Sequence, residues 1–187
     1  MSRVVSHFFV REELEVEDVI FALSLKSAEF VGNVKSYPGR VWDLYIGHIN
    51  GGTLVLNAYI FHTLCDEKKR ERFLMLFPDD FVYSDMYNGR NAYHGFLRIE
   101  NGEIKVLRLY EGTETSVGVY NEFEERVIEE KIEEYVLMGK SRSWAENYLK
   151  NAMPMLLMDK YQEQNLGDTL LDLHGKLNLK RYKCKWQ

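Results

Sequence analysis

The chain has 187 residues, 45% of them hydrophobic and 13% aromatic, which suits one domain with a sizeable core and excludes a disordered chain. No apolar run reaches about 18 residues and the start, M-S-R-V-V-S-H-F-F-V, lacks a secretory pattern, so neither a membrane partner nor export is expected. The net charge of −5 is uneven: Lys176, Lys180, Arg181, Lys183 and Lys185 crowd the last thirteen residues without an acid, leaving an acidic body that resists non-specific nucleic-acid binding.

In chain order, Arg3 to Val10 reads as a strand. Glu15 to Val31 reads as an amphipathic helix with Val16, Val19, Ile20, Leu23 and Phe30 near one face, closed by Gly32-Asn33. After a Tyr37-Pro38-Gly39 turn, Arg40 to Ile46 is a second strand. Gly51-Gly52 then permits a turn with positive φ, and Thr53 is placed to cap a helix. The segment from Thr53 is apolar nearly all round, which predicts a buried helix over about 53–65. It continues to Phe77, with a break near the charged run Asp66 to Arg72.

Residues 78–95 read as a long loop holding Tyr83, Tyr87, Arg90, Tyr93 and His94. The next signal is sharper. Asn101-Gly102 between F-L-R-I-E and E-I-K-V-L-R-L-Y predicts a two-residue type I′ hairpin, with Ile99 opposite Ile104 and Leu97 opposite Val106. Thr115 to Tyr120 adds a further strand. From Asn121 the pattern is helical. Asn121-x-x-Glu124 and Ser143-x-x-Glu146 read as capping boxes, the first helix ends at Gly139, and Pro154 kinks the second. Asp168 is placed to cap a short last helix. Leu177 to Trp186 alternates like a strand with a phase slip at Lys180-Arg181, returning the chain end to the sheet.

These elements predict a single α+β domain over 1–187. Residues 1–120 form a mixed strand and helix core, 121–175 a helical layer and 176–187 a strand-like basic tail. An antiparallel sheet centred on the Asn101-Gly102 hairpin packs on the 53–65 helix. Cys65 and Cys184 are too far apart in sequence to suggest a disulfide framework, and free thiols suit the cytoplasm.

Three places bear chemistry worth testing. A helix start at Asn50, Gly51, Gly52 and Thr53 would present free N–H groups to an anion, with His48 and His94 as acid–base candidates. The Tyr83, Tyr87, Arg90 and Tyr93 loop has the composition of an interaction surface. The glutamates of 122–134, Glu129 and Glu133 among them, are either a solvated helix face or a row that mimics nucleic-acid phosphates. His62 and Cys65 share a helix face as a metal pair would, but no Cys-x-x-Cys or His-x-x-x-His completes a set, so no metal and no cofactor are expected. No nucleophile elbow, H-E-x-x-H or P-loop is present.

The residues therefore favour a non-catalytic protein-binding or regulatory module over an enzyme. The rivals are an enzyme acting on an anionic substrate at the Gly51-Gly52 turn and an acidic inhibitor of nucleic-acid-handling machinery. The expected partner is another protein, with a homo-oligomer through the Met153 to Met158 run as the alternative. Nucleic acid enters only through the basic tail at 176–187, where lysines interleave with Tyr182 and Trp186.

Overall fold

The computed structural model describes residues 4–36, 43–76, 82–88, 93–111, 114–116 and 120–186. For 4, 5, 76, 82, 87, 88, 93, 94, 110, 111 and 114–116 it describes the backbone alone. Nine strands lie among the described residues: β1 (Val4–Val10), β2 (Leu25–Val34), β3 (Leu44–Ile49), β4 (Gly52–Leu56), β5 (Val82–Asn88), β6 (Tyr93–Glu100), β7 (Glu103–Glu111), β8 (Glu114–Ser116) and β9 (Leu179–Trp186). They form one sheet in the order β2-β9-β3-β4-β1-β5-β6-β7-β8, with every neighbouring pair antiparallel. The helices are α1 (Val16–Ala22), α2 (Ile60–Cys65), α3 (Glu67–Leu76), α4 (Glu122–Leu137), α5 (Arg142–Leu166) and α6 (Leu170–Leu173). This is an α+β fold.

Strand alternation sends successive side chains to opposite faces, and both faces are covered. On one, Phe8, Ile46, Val55, Met86 and Leu97 pack with Val19, Ile60, Phe61, Leu64 and Phe73 of α1 to α3. On the other, Phe9, Leu54, Leu56, Tyr83, Phe96 and Val106 meet side chains of α4, α5 and α6. The sheet is thus the middle layer, and the C-terminal helices form the expected covering layer.

Three expectations are corrected. The segment from Thr53 is not helical at its start. Gly52 to Leu56 is a central strand with every residue buried, and only Ile60–Cys65 is the buried helix. A strand buried on both faces is apolar at every position, as a buried helix is. Asn50 (φ 51°) and Gly51 (φ 74°) instead make a type I′ hairpin turn between β3 and β4. Thr53 caps nothing: its hydroxyl accepts from the Leu14 N–H (2.8 Å) and donates to the Glu12 carbonyl (2.6 Å).

The second correction concerns Glu15 to Val31. The helix stops at Ala22, Ser24 turns the chain at φ 56°, and β2 follows, paired along its length with β9. Third, within the 78–95 stretch read as a long loop with room for a short strand, residues 82–88 are a full strand and 93–95 extend the first hairpin strand, the two pairing with Asn88 opposite Tyr93 and Tyr87 opposite His94.

The Asn101-Gly102 hairpin forms with Ile99 opposite Ile104 as expected, and it lies towards one edge of the sheet. A register shift between Arg98 and Ile99 moves Leu97 opposite Leu107, so Val106 turns to the α4–α5 face. The chain end returns to the sheet as predicted, as β9 between β2 and β3. Helix α5 runs unbroken through Pro154, and its cap is Ser141, whose hydroxyl accepts from the Trp144 N–H at 3.2 Å; Ser143 is not the cap. Thr169 rather than Asp168 caps α6.

Candidate functional site

Helices α4 and α5 form an antiparallel hairpin whose two ends differ in chemistry. The root lies against the sheet. There the Asn121 side chain accepts from the Glu124 N–H (3.0 Å) and Glu124 accepts from the Asn121 N–H (2.9 Å), the predicted capping box. Glu124 is fully buried and also accepts from Arg108 of β7 at 2.5 Å, so the box carries a buried ion pair. Asn121 donates in turn to the Tyr161 hydroxyl at 3.0 Å. The Tyr161 ring lies among Tyr83, Phe96 and Phe123 at centroid distances of 4.9 to 5.7 Å.

At the next residue of α5, Gln162, a second polar cluster joins the helix to the centre of the sheet. Asp85 of β5 accepts from the Tyr83 hydroxyl (2.9 Å) and from the Gln162 amide (2.7 Å), and His7 Nδ1 of β1 approaches it at 2.7 Å. The Gln162 carbonyl accepts from the Leu170 N–H at 2.8 Å, fixing the start of α6. Burial, then the Asp85 charge, pushes the Tyr83 hydroxyl well above its ordinary pKa. Asp159, half-buried one turn before Gln162, is pushed up to about 6 by burial and by the charges of Asp85, Glu163 and Asp172. A histidine beside an aspartate suggests acid–base work, but His7 is fully buried and Asp85 is 2% exposed, so the described surface offers substrate no approach. Sequence reasoning missed this pair because its members stand far apart on two strands.

The other end is different. Helix α4 closes through Gly139 (φ 84°), with the Lys140 N–H bonded to the Tyr135 carbonyl at 3.0 Å. Around that connection Leu137 is 87% exposed, Met138 64%, Tyr148 50%, Val136 43% and Trp144 41%. Trp144 and Tyr148 stack at 5.0 Å with 10° between their planes, Tyr135 meets both edge-on, and the Lys140 ammonium lies 5.1 Å from the Trp144 ring centre. The aromatics are therefore ordered by one another while their outer surfaces face water. Val136, although it follows the helical period of the buried Ile132, belongs to this patch.

Glutamates border the patch. Arg142 grips Glu129 with two hydrogen bonds, 2.8 and 2.6 Å, and Glu146 with one of 3.0 Å, so Glu129 staples α4 to α5 and is held below the usual carboxylate pKa. Glu130 and Glu134 stand near Arg126 and Lys131. Glu133 is exposed and has no ion pair among the described residues. The row is thus partly neutralised, which weakens the phosphate-mimic reading.

The remaining candidates are dispersed. Tyr83 is buried in the Asp85 cluster and unavailable as a contact, while Arg90 and the side chains of Tyr87, Tyr93 and His94 lie outside the described residues. His48 is exposed on β3, with Nδ1 3.4 Å from the Thr53 hydroxyl. The anion site loses its premise, because a strand and not a helix start follows the glycines. Asn50 donates instead to the Asn165 carbonyl of α5 at 3.3 Å. A Cβ on Gly52 would lie 2.3 Å from the Val10 carbonyl.

The His62–Cys65 pair gains no third ligand, and no metal-ligating cluster occurs among the described residues. Burial pushes the Cys65 thiol up to about 11. In the tail, Lys180, Lys183 and Lys185 are exposed, while Tyr182 and Trp186 pack into the core on the α1–α3 side. The strand's twofold period separates the lysines at 183 and 185 from the aromatics that a nucleic-acid surface would need beside them. β9 is also an interior strand, so its lysines do not guard an edge. No helix among the described residues is long and apolar enough to cross a membrane. Compared with known protein families, curated proteins and solved structures, the chain has no match in any of the three.

Proposed function

We propose that this chain is a non-catalytic protein-binding module whose contact surface is the end of the α4–α5 hairpin. The carrying observation is the exposed cluster of Val136, Leu137, Met138, Trp144 and Tyr148. Contiguous apolar surface of this kind is uncommon on a monomer and typical of interfaces, where tryptophan and tyrosine supply most of the binding energy. Glu133, exposed and without an ion pair among the described residues, stands about one helical turn before Val136 and Leu137, so the partner that fits is a protein with an apolar pocket and a basic group at its rim. Leu137 and Trp144 are the anchors. Glu133 steers approach, so binding weakens as salt rises.

The test is affinity capture with the intact chain and with Leu137→Glu, identification of the proteins retained only by the former, and binding measurements with each one purified. The reading stands if a purified basic protein loses roughly tenfold or more in affinity on Leu137→Glu and on Trp144→Ala. It is overturned if both variants bind like the parent. A monomer–dimer equilibrium abolished by Leu137→Glu would replace the basic partner with a second copy and overturn that assignment.

A further inference from the structure

On the opposite face of the sheet, an open cleft of about 400 Å³ is lined by Tyr59, His62, Thr63, Lys69 and Trp186. It lies where α2, the first turn of α3 and the last residues of β9 meet. That volume falls within the range of small-ligand sites. Its walls are mainly ring surface: Tyr59 and Trp186 meet edge-to-face at 5.4 Å and 72°, giving two steeply inclined aromatic planes. Tyr59 is 40% exposed and lines the cleft beside Trp186.

The polar groups narrow the ligand class. The Thr63 hydroxyl already donates to the Tyr59 carbonyl at 3.0 Å, within α2. The Lys69 backbone N–H is taken by Asp66, but its ammonium has no ion pair or hydrogen bond among the described residues. An unpaired cation beside aromatic walls attracts an anion more strongly than it would in open water, because the apolar side lowers the local dielectric. The same ammonium repels cationic ligands that bare aromatic faces would otherwise attract.

We propose that this cleft binds a planar aromatic anion, one or two rings bearing a carboxylate, sulfonate or phosphate. The ring system lies against Trp186 and Tyr59, and the acid group meets Lys69. The site is independent of the α4–α5 surface, since its residues come from elements on the other side of the sheet.

Naphthalene-2-sulfonate is the probe, followed by two-dimensional amide NMR with the indole signals of Trp144 and Trp186 assigned through single phenylalanine substitutions. Saturable shifts at the Trp186 indole and at amides 59–69 are expected, with the Trp144 indole unmoved. Lys69→Gln weakens binding by roughly fivefold or more, as does exchanging the probe for neutral 2-naphthol. Lys69 is exposed, so the variant's unbound spectrum remains that of the folded parent. Tyr59→Ala provides a second variant acting on the wall instead of the charge. The proposal is overturned by the absence of saturable shifts up to about 10 mM probe. Shifts centred on Trp144, or equal affinity for the charged and neutral probes, overturn it as well.

Discussion

The root and the tip of the α4–α5 hairpin invert the usual distribution of residues. At the root Asp85, His7, Glu124, Arg108 and Gln162 are buried. At the tip Leu137, Met138, Trp144 and Tyr148 face water. A buried polar group is tolerated only when bonded, and bonding demands one geometry. The root clusters therefore fix how α4 and α5 sit on the sheet, in a way an apolar contact that slides would not. At the tip the aromatics meet chiefly one another among the described residues, and the part of that apolar surface left in water contributes nothing to folding. The difference teaches where stability and recognition are separated, and that separation can be attacked by substitution.

The largest effect is expected at the root. Asp85→Ala removes the acceptor of both Tyr83 and Gln162 and leaves His7 facing nothing charged. Loss of one partner from a buried charged cluster costs about 3–5 kcal/mol, read as a fall in the urea midpoint at constant m-value. Glu124→Ala follows at about 3 kcal/mol, because it removes the buried carboxylate that Arg108, 7% exposed, is paired with and opens the capping box. Should either variant unfold with the parent's midpoint, the root would be ordinary packing and the contrast with the tip would disappear.

How much of this was legible in the sequence depends on how far apart the responsible residues lie. Asn121 and Glu124 are three apart, so their box was readable before any fold was known. Asn101-Gly102 was equally local. Asn50-Gly51 is the same dipeptide with nearly the same φ angles, yet the further glycine and the apolar run that follow it mask the hairpin and imitate a helix start. Leu54, Val55 and Leu56 are all fully buried, so the alternation that marks a half-buried strand was missing; β-branched Thr53 and Val55 were the signals that favoured a strand. His7 and Asp85 meet only through the pairing of β1 with β5, which no local pattern announces. Exposure at the tip was illegible for a related reason. The helical period marks Val136 as core, and only the end of α4 packing before that residue leaves it in water.

A smaller effect, with a sign set by pH, separates burial from pairing at the root. Asp159 has its pKa raised from 3.8 to about 6, first by burial and then by Asp85, Glu163 and Asp172, with Lys160 opposing. A carboxyl group raised in the folded state adds stability while protonated. That contribution is full below pH 3.8 and is lost as pH rises through about 6. Because the side chain is only half-buried, solvent screening reduces the penalty at neutral pH to about 1 kcal/mol. Asp159→Asn is therefore expected to be more stable than the parent by about that amount at pH 8, with the difference vanishing by about pH 4. Urea midpoints of the two proteins at both pH values make the comparison, and a pH-independent difference would remove Asp159 from the cluster's electrostatics.

The smallest effect on folding is expected at the tip, and it carries the most functional weight. Leu137 is 87% exposed, so Leu137→Glu surrenders little buried area. The substitution places an acid at the C-terminal end of α4, where the helix dipole disfavours negative charge by about 0.3–1 kcal/mol. Removing an exposed apolar side chain from water offsets part of that. The midpoint is therefore expected to move by less than about 0.5 kcal/mol, within the range of ordinary surface changes. Leu137→Lys should do no worse, because a cation at that end is favourable. A loss of about 2 kcal/mol or more in both variants would mean that Leu137 packs within the folded chain, and the patch would then be core instead of a contact surface.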